Sequence, residues 1–262
     1  MHQFDIDYRY NGVYAAARAL DKAKLQHYKQ RQWIDAPSEL RDNYGTYPTP
    51  AETLAREGKH AAVTLLREEF AAQPCFIARG YAIANNDDEV EKYIHLDRAT
   101  AEFAAQGYAI IGATAKVNAT RNRFPFVSNT TLVAGYTMGG HLVIAETMCN
   151  QLQTRELYNT MAATLAKCGK HDELRNFIRK HPDIELDEII TAYSVVGYDT
   201  DDDNVQAAID VYHESQSLQQ SHSDEFENES STDGNAHGSA HGTDYDDDNL
   251  DDNNGYRGIV LK

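Results

Sequence analysis

With 262 residues, a net charge of −17 and 41% hydrophobic residues, the chain has room for one domain of moderate size plus appendages. Residues 213–262 hold 12 acidic and 2 basic residues, which leaves −7 for residues 1–212. An acidic body argues against a phosphate-binding surface, so no nucleic-acid partner is expected. No apolar run is long enough to span a membrane, and the N-terminus lacks the pattern of a signal peptide. Cys75, Cys149 and Cys168 are widely spaced and odd in number, as expected of buried, reduced thiols. A soluble, monomeric protein of cytoplasmic type is expected.

Residues 1–48 read as an N-terminal helical cap. Val13 to Trp33 is rich in Ala, Leu, Lys and Gln and is predicted to be one helix, with Asn11 as its N-cap. Asp35-Ala-Pro37-Ser38 suggests a short second helix, and Tyr44 to Pro50 a stiff linker.

Residues 49–212 repeat. Anchored on His60, the equivalent positions are Asp87, Thr114, His141, His171 and Asp199, at steps of 27, 27, 27, 30 and 28 residues. Five positions before the anchor stand Ala55, Ala82, Ala109, Tyr136, Ala166 and Ser194, mostly small, as where neighbouring helices pack backbone to backbone. One position earlier come Leu54, Tyr81, Tyr108, Gly135, Leu165 and Tyr193, mostly large core candidates. After the anchor runs an apolar stripe at helical spacing, as in Val90/Tyr93/Ile94 and Leu174/Phe177/Ile178. Each unit therefore reads helix, turn, helix. Gly58, Gly112, Gly139, Gly140, Gly169 and Gly197 sit where a left-handed C-cap is needed. A single hairpin cannot bury its stripe, whereas stacked neighbours can.

The stretch Thr49-Pro50-Ala-Glu-Thr-Leu54-Ala55-Arg-Glu-Gly58-Lys-His-Ala-Ala-Val63-Thr-Leu65-Leu66 resembles an ankyrin repeat. It keeps the Thr-Pro that opens the first helix, the turn Gly and the Val-x-Leu-Leu of the second. Later units lose Thr-Pro, and their period falls short of the usual 33 residues, which puts the projecting β-turn finger in doubt. Gly80 to Ile83, Gly107 to Ile110 and Gly135 to His141 resemble degenerate ankyrin-like arrays of intracellular bacteria, some of them effectors delivered into host cells. The resemblance covers residues 49–212. It implies an all-α solenoid of about six helical hairpins and protein binding with no fixed ligand.

From His213 the composition turns to Ser, Asp, Asn, Glu, Gly and His, so residues 213–262 are predicted to be a disordered acidic tail. Its Asp224 to Glu229, the Asp-rich stretch 244–252 and Ile259-Val260-Leu261 resemble secretion signals of effectors. An acidic arm for a basic partner and an inert solvated tail are the alternatives.

Asp199, Asp201, Asp203 and Asp210 follow much of the spacing of a calcium-binding EF-hand loop, which would make binding calcium-modulated. Asn204 replaces the turn Gly, and Asp210 the usual bidentate Glu. The competing role is a polar turn that caps the next helix. His60, His141 and His171 occupy equivalent positions in units stacked about 10 Å apart, too far for one ion, and are expected to stabilise turns. No cofactor is expected. An enzyme or toxin whose site is assembled from separated residues is the rival to a binding module, and no nucleophile or phosphate-loop motif supports it.

The third unit departs most from the pattern. Its second helix reads Asn118-Ala-Thr-Arg121-Asn-Arg123-Phe124-Pro125-Phe126, and Pro125 is expected to end it early. Arg121, Arg123, Phe124 and Phe126 are of the types enriched at binding hot spots and form the candidate partner site. The partner is expected on the concave surface of the array.

Overall fold

The computed structural model describes residues 4–38, 42, 44 and 46–229. Among the described residues there are fourteen helices and no strand. None is long and apolar enough to cross a membrane.

The N-terminus holds two helices rather than one: α1 (Phe4–Arg18) and α2 (Lys22–Gln30). Leu20 turns left-handed at φ 55° and breaks the run. Asp21 then caps α2 by accepting from the amide of Lys24 at 3.1 Å. Asn11 lies inside α1, not at its start, and residues 34–38 form turn and coil instead of a short helix.

Six helical hairpins follow. They are α3 (Pro50–Arg56) with α4 (His60–Phe70), α5 (Pro74–Ile83) with α6 (Asp87–Tyr93), and α7 (Arg98–Ile110) with α8 (Thr114–Arg123). Then come α9 (Asn129–Met138) with α10 (Leu142–Leu152), α11 (Arg155–Lys167) with α12 (His171–Lys180), and α13 (Leu186–Val195) with α14 (Asp203–Glu229). Thr49 and Pro50 open α3 as cap and first residue, with the Thr49 hydroxyl accepting from the amide of Glu52. Gly58, Gly112, Gly140, Gly169 and Gly197 take positive φ in the turns, and Asn85 fills the same role in the second hairpin. Gly139 does not: it is right-handed, and a Cβ there would collide with the carbonyl oxygen of Ile110.

The odd-numbered helices α3 to α13 pack each on the next in one continuous layer, whereas the even-numbered ones approach one another mainly at α12 and α14. The layer with closer spacing lies inside the bend, so the array curves toward the odd-helix side. A seam of small residues permits that spacing. A Cβ on Gly80, Gly107 or Gly135 would come within 2.7–2.9 Å of the Cβ of Ala55, Ala82 or Ala109 on the preceding odd helix. Across the bend, the Cys168 thiol donates to the carbonyl of Tyr44 at 3.4 Å, joining segments 124 residues apart.

Caps and seam fix the register of the hairpins, and one anchor moves. His141 is the N-cap of α10, so Leu142 is the counterpart of His60, Asp87, Thr114 and His171. Gly135 then aligns with Gly80 and Gly107, and Tyr136 aligns with Tyr81 and Tyr108. The extra residue lies earlier, between Thr114 and Gly135, because Gly135 to Leu142 spans the same seven positions as Gly107 to Thr114.

The last hairpin is the other difference. Val205, Ala208, Val211 and Ser215 are buried at helical spacing, which carries α14 past His213 as far as Glu229. The remaining tail readings, including the stretch 244–252 and Ile259 to Leu261, lie outside the described residues.

Candidate interaction surface

Three sets of side chains stand out, two of them where sequence patterns had not located them. The first is an ion network under the first three odd helices. Arg79 donates from Nε and Nη2 to both carboxylate oxygens of Glu52 at 2.9 and 2.7 Å, and from Nη1 to Gln106 at 3.1 Å. Glu52, Arg79 and Gln106 occupy the same place in successive hairpins. Arg56 reaches Glu52 and Asp42 from the other side, and Glu52 is fully buried. The guanidinium of Arg79 also lies over the rings of Phe103 and Phe76, 5.0 and 5.7 Å from their centroids. Every charge here has an opposite charge beside it, the condition under which buried ions are tolerated. The network therefore joins hairpins and offers nothing to a ligand.

The second set runs along the turns. The hydroxyl of Tyr81 lies 3.0 Å from Nδ1 of His60, and that of Tyr193 lies 2.9 Å from Nδ1 of His171, each pair of rings stacked. Tyr108 donates to Asp87 at 2.8 Å. In each case a tyrosine of one hairpin bonds the first residue of the second helix in the hairpin before. Tyr136 has the same position, but its counterpart is Thr114, whose side chain is too short to reach. The Tyr136 hydroxyl is consequently buried with no hydrogen-bond partner. Burial pushes its pKa up to about 12. His141 instead meets the carbonyl oxygen of Ile110 through Nε2 at 3.2 Å. The histidines expected to stabilise their turns thus bridge successive hairpins.

The third set contains the candidate site. Pro125 stops α8 after Arg123, yet α8 is as long as α12, ten residues each, so the third hairpin is not shortened. What differs is the segment that follows. Arg123 donates to both oxygens of Glu91 at 2.7 and 2.9 Å, contacts His95, and covers the Phe124 ring with its guanidinium 5.4 Å from the centroid. Phe124 packs against Phe126 and His95. Phe126 is 39% exposed, and Arg98 lies 5.3 Å over its ring while donating to its carbonyl oxygen at 3.3 Å.

The structure therefore brings Arg123, Phe124 and Phe126 together and adds Arg98, His95 and Glu91, which sequence patterns did not single out. Arg98 was within reach of such a reading, since it opens α7 in the loop one hairpin before Phe126. Arg121 does not join the cluster. It points to Asn129 at 3.0 Å and fastens α8 to the start of α9.

The cluster lies at the inter-hairpin edge, where odd helices begin and even helices end, and not on the face of the odd helices. That face is open further along. A cleft of about 530 Å³ between α9, α11 and α13 has a floor of Ala134, Asn159, Thr160 and Ala163, and Arg155 and Glu185 stand at the same inter-hairpin edge. Asp203 and Asp210 lie on α14, and Asp202 accepts from the amide of Asn204 as a cap. Among the described residues no three His, Cys, Asp or Glu side chains gather as a metal site would require. Cys75 and Cys149 are buried and Cys168 half-buried, none in a disulfide, and burial pushes the Cys149 thiol up to about 12.

No protein-family model, curated protein or solved structure matches the chain.

Proposed function

We propose that this chain is a non-catalytic protein-interaction module, an ankyrin-like α-solenoid that grips a protein partner at the inter-hairpin edge of its third unit. The observation that carries the reading is the pairing of Arg98 with exposed Phe126 and of Arg123 with half-buried Phe124. Arginine and aromatic side chains dominate binding energy where they are held rigid and then desolvated by a partner. Here carboxylates and rings already hold the guanidinium groups in place, which lowers the entropy cost of docking. The cleft beside α9 and α11 reaches the same edge and would receive a segment of the partner extending from it. The resemblance to effector arrays extends this reading to a protein delivered into a host cell.

Affinity capture from host-cell and bacterial lysates tests it, with the unmodified chain run beside Arg98→Glu/Phe126→Ser. One or more proteins enriched by the unmodified chain are expected to fall at least tenfold with the variant, whose melting temperature stays unchanged. Equal recovery by both would overturn the site, and equal recovery by a variant of the cleft, Ala163→Arg, would separate the edge from the groove.

A further inference from the structure

Each odd helix from α3 to α11 buries one side against the next. In α5 that side carries Ala78 and Ala82, in α7 Ala105 and Ala109, in α9 Val133 and Thr137, and in α11 Ala162 and Ala166, all fully buried. The counterparts on α13 are Ile190, which is half-buried, and Ser194, which is exposed. Leu186, also half-buried, continues the stripe one turn earlier, at the i, i+4, i+8 spacing that keeps side chains on one side of a helix.

α13 has α11 on one side and, among the described residues, no odd helix on the other. The opposite end of the layer differs, because α1 packs on α3 and α4 there. A helical array that ends in solvent closes with a polar outer side. This one ends on a leucine, an isoleucine and a small residue of the kind that admits close helix approach.

Charge decides what belongs on that side. From His181 to Glu229 the chain has 14 acidic residues and no lysine or arginine. Asp187 and Glu188 stand in the first turn of α13, and Asp199, Asp201, Asp202 and Asp203 follow its other end. The cations of α11 and α12 do not balance them, since Arg155 pairs with Glu185, Arg175 with Asp172 and Lys180 with Glu146. Across residues 155–229, the last two hairpins, 17 acidic residues stand against six basic ones. A second copy presenting the same end would add the same charge. Residues 230–262 hold seven acidic residues and two basic ones, so like charge opposes them too.

We propose that the open side of α13 docks a basic amphipathic helix of a partner protein, which takes the place of a seventh odd helix. Its apolar stripe packs on Leu186 and Ile190, with a small residue opposite Ser194, as Gly80, Gly107 and Gly135 lie opposite Ala55, Ala82 and Ala109. Its lysines and arginines meet Asp187, Glu188 and the aspartates of the turn. Apolar anchors at helical spacing supply affinity, while opposite charge selects the partner and speeds its approach. The surface lies three hairpins from Arg98 and Phe126 and does not depend on the role proposed for them.

Fluorescence anisotropy tests the proposal, with the full chain and a labelled synthetic peptide of about five helical turns. The peptide carries leucine and alanine along one side at i, i+4 spacing, with lysine and arginine elsewhere. Saturable binding at micromolar concentration is expected. Binding should be at least tenfold weaker for a peptide of the same composition in scrambled order, and for one with glutamate in place of lysine and arginine. Asp187→Lys/Glu188→Lys, at two exposed positions, and Ile190→Lys/Ser194→Arg should each weaken binding at least tenfold at an unchanged melting temperature. Arg98→Glu/Phe126→Ser should bind as the unmodified chain does. No binding of the basic peptide, equal binding of the scrambled one, or binding retained by either α13 variant would overturn the proposal. So would a dimer in sedimentation that Ile190→Lys/Ser194→Arg dissociates, because a second copy would then hold this surface.

Discussion

The odd-numbered helices from α3 to α9 and those from α9 to α13 belong to one layer, yet they are packed by different means. At the front, glycine faces alanine across each junction, and the Glu52–Arg79–Gln106 ladder ties three hairpins beneath the surface. At the rear, Thr164 and Ala192 stand where the front has glycine, and the cleft opens between α9, α11 and α13. Close backbone approach with buried ion pairs makes a stiff, curved front. A looser rear leaves a groove. The third hairpin lies between the two and carries the Arg–Phe cluster, and the orphaned hydroxyl of Tyr136 stands beside it on α9.

Substitution at the seam should separate front from rear most sharply. In Gly107→Val the new Cβ would lie 2.7 Å from that of Ala82 and 2.8 Å from the carbonyl oxygen of Arg79, contacts that backbone cannot yield cheaply. A loss above about 4 kcal/mol in urea unfolding is expected. Thr164→Val, at the matching position of α11, should cost about 1 kcal/mol, since it removes only the bond to the Thr160 carbonyl. Equal losses at the two sites would erase the distinction.

Glu52→Gln comes next. It leaves Arg79 without a buried counter-charge and Arg56 with Asp42 alone, and should cost about 3–5 kcal/mol, whereas Glu52→Leu combined with Arg79→Met should recover much of that loss. A double variant no better than the single one would mean that the ladder does not act as an ion pair.

The tyrosines give a smaller effect with opposite signs. Tyr136→Phe removes a buried hydroxyl that has no partner and should stabilise the fold by about 1 kcal/mol. Tyr193→Phe removes a bond to His171 and should destabilise it by a similar amount. Thermal melts of the two proteins decide the matter, and a loss in both would show that the Tyr136 hydroxyl is satisfied in solution.

The smallest effect is with acid. Burial opposes ionisation of Asp42, but hydrogen bonds from Arg56 and Thr46 outweigh it and hold its carboxyl below the ordinary value. Asp87 is lowered in the same way by Lys116 and Tyr108. A folded pKa below the unfolded one adds stability that is complete above the unfolded value, near 4, and is lost as pH falls through the folded one. Stability should therefore decline below pH 4, and less steeply in Asp42→Asn, as followed by circular dichroism. Parallel curves for the two proteins would remove Asp42 from the account.

Much of this architecture was legible because helical pairs recur at nearly constant spacing, and the turn glycines and the small-residue column announce the seam. The ion ladder was missed although its members recur at a fixed step, because a buried Glu or Arg has no distinctive local pattern and becomes visible only when hairpins are superposed. The break at Leu20 was unreadable, since a leucine in a left-handed turn contradicts its own propensity. The end of α14 was read too early because Ser215 looks like solvent-facing tail until Val205, Ala208 and Val211 place it on a buried stripe. Contact between Tyr44 and Cys168 follows from curvature, which no local pattern encodes.

The third hairpin gives the most direct test, because there the regular pattern and the proposed surface are in competition. Thr114→Asp supplies the acceptor that Asp87 provides for Tyr108, and Pro125→Ala removes the residue that stops α8 before Phe126. The measurement is partner capture by Thr114→Asp/Pro125→Ala against the unmodified chain, read beside the melting temperature of each. A surface built on the interruption predicts a more stable protein that captures its partner at least tenfold less. A more stable protein with capture unchanged would contradict it.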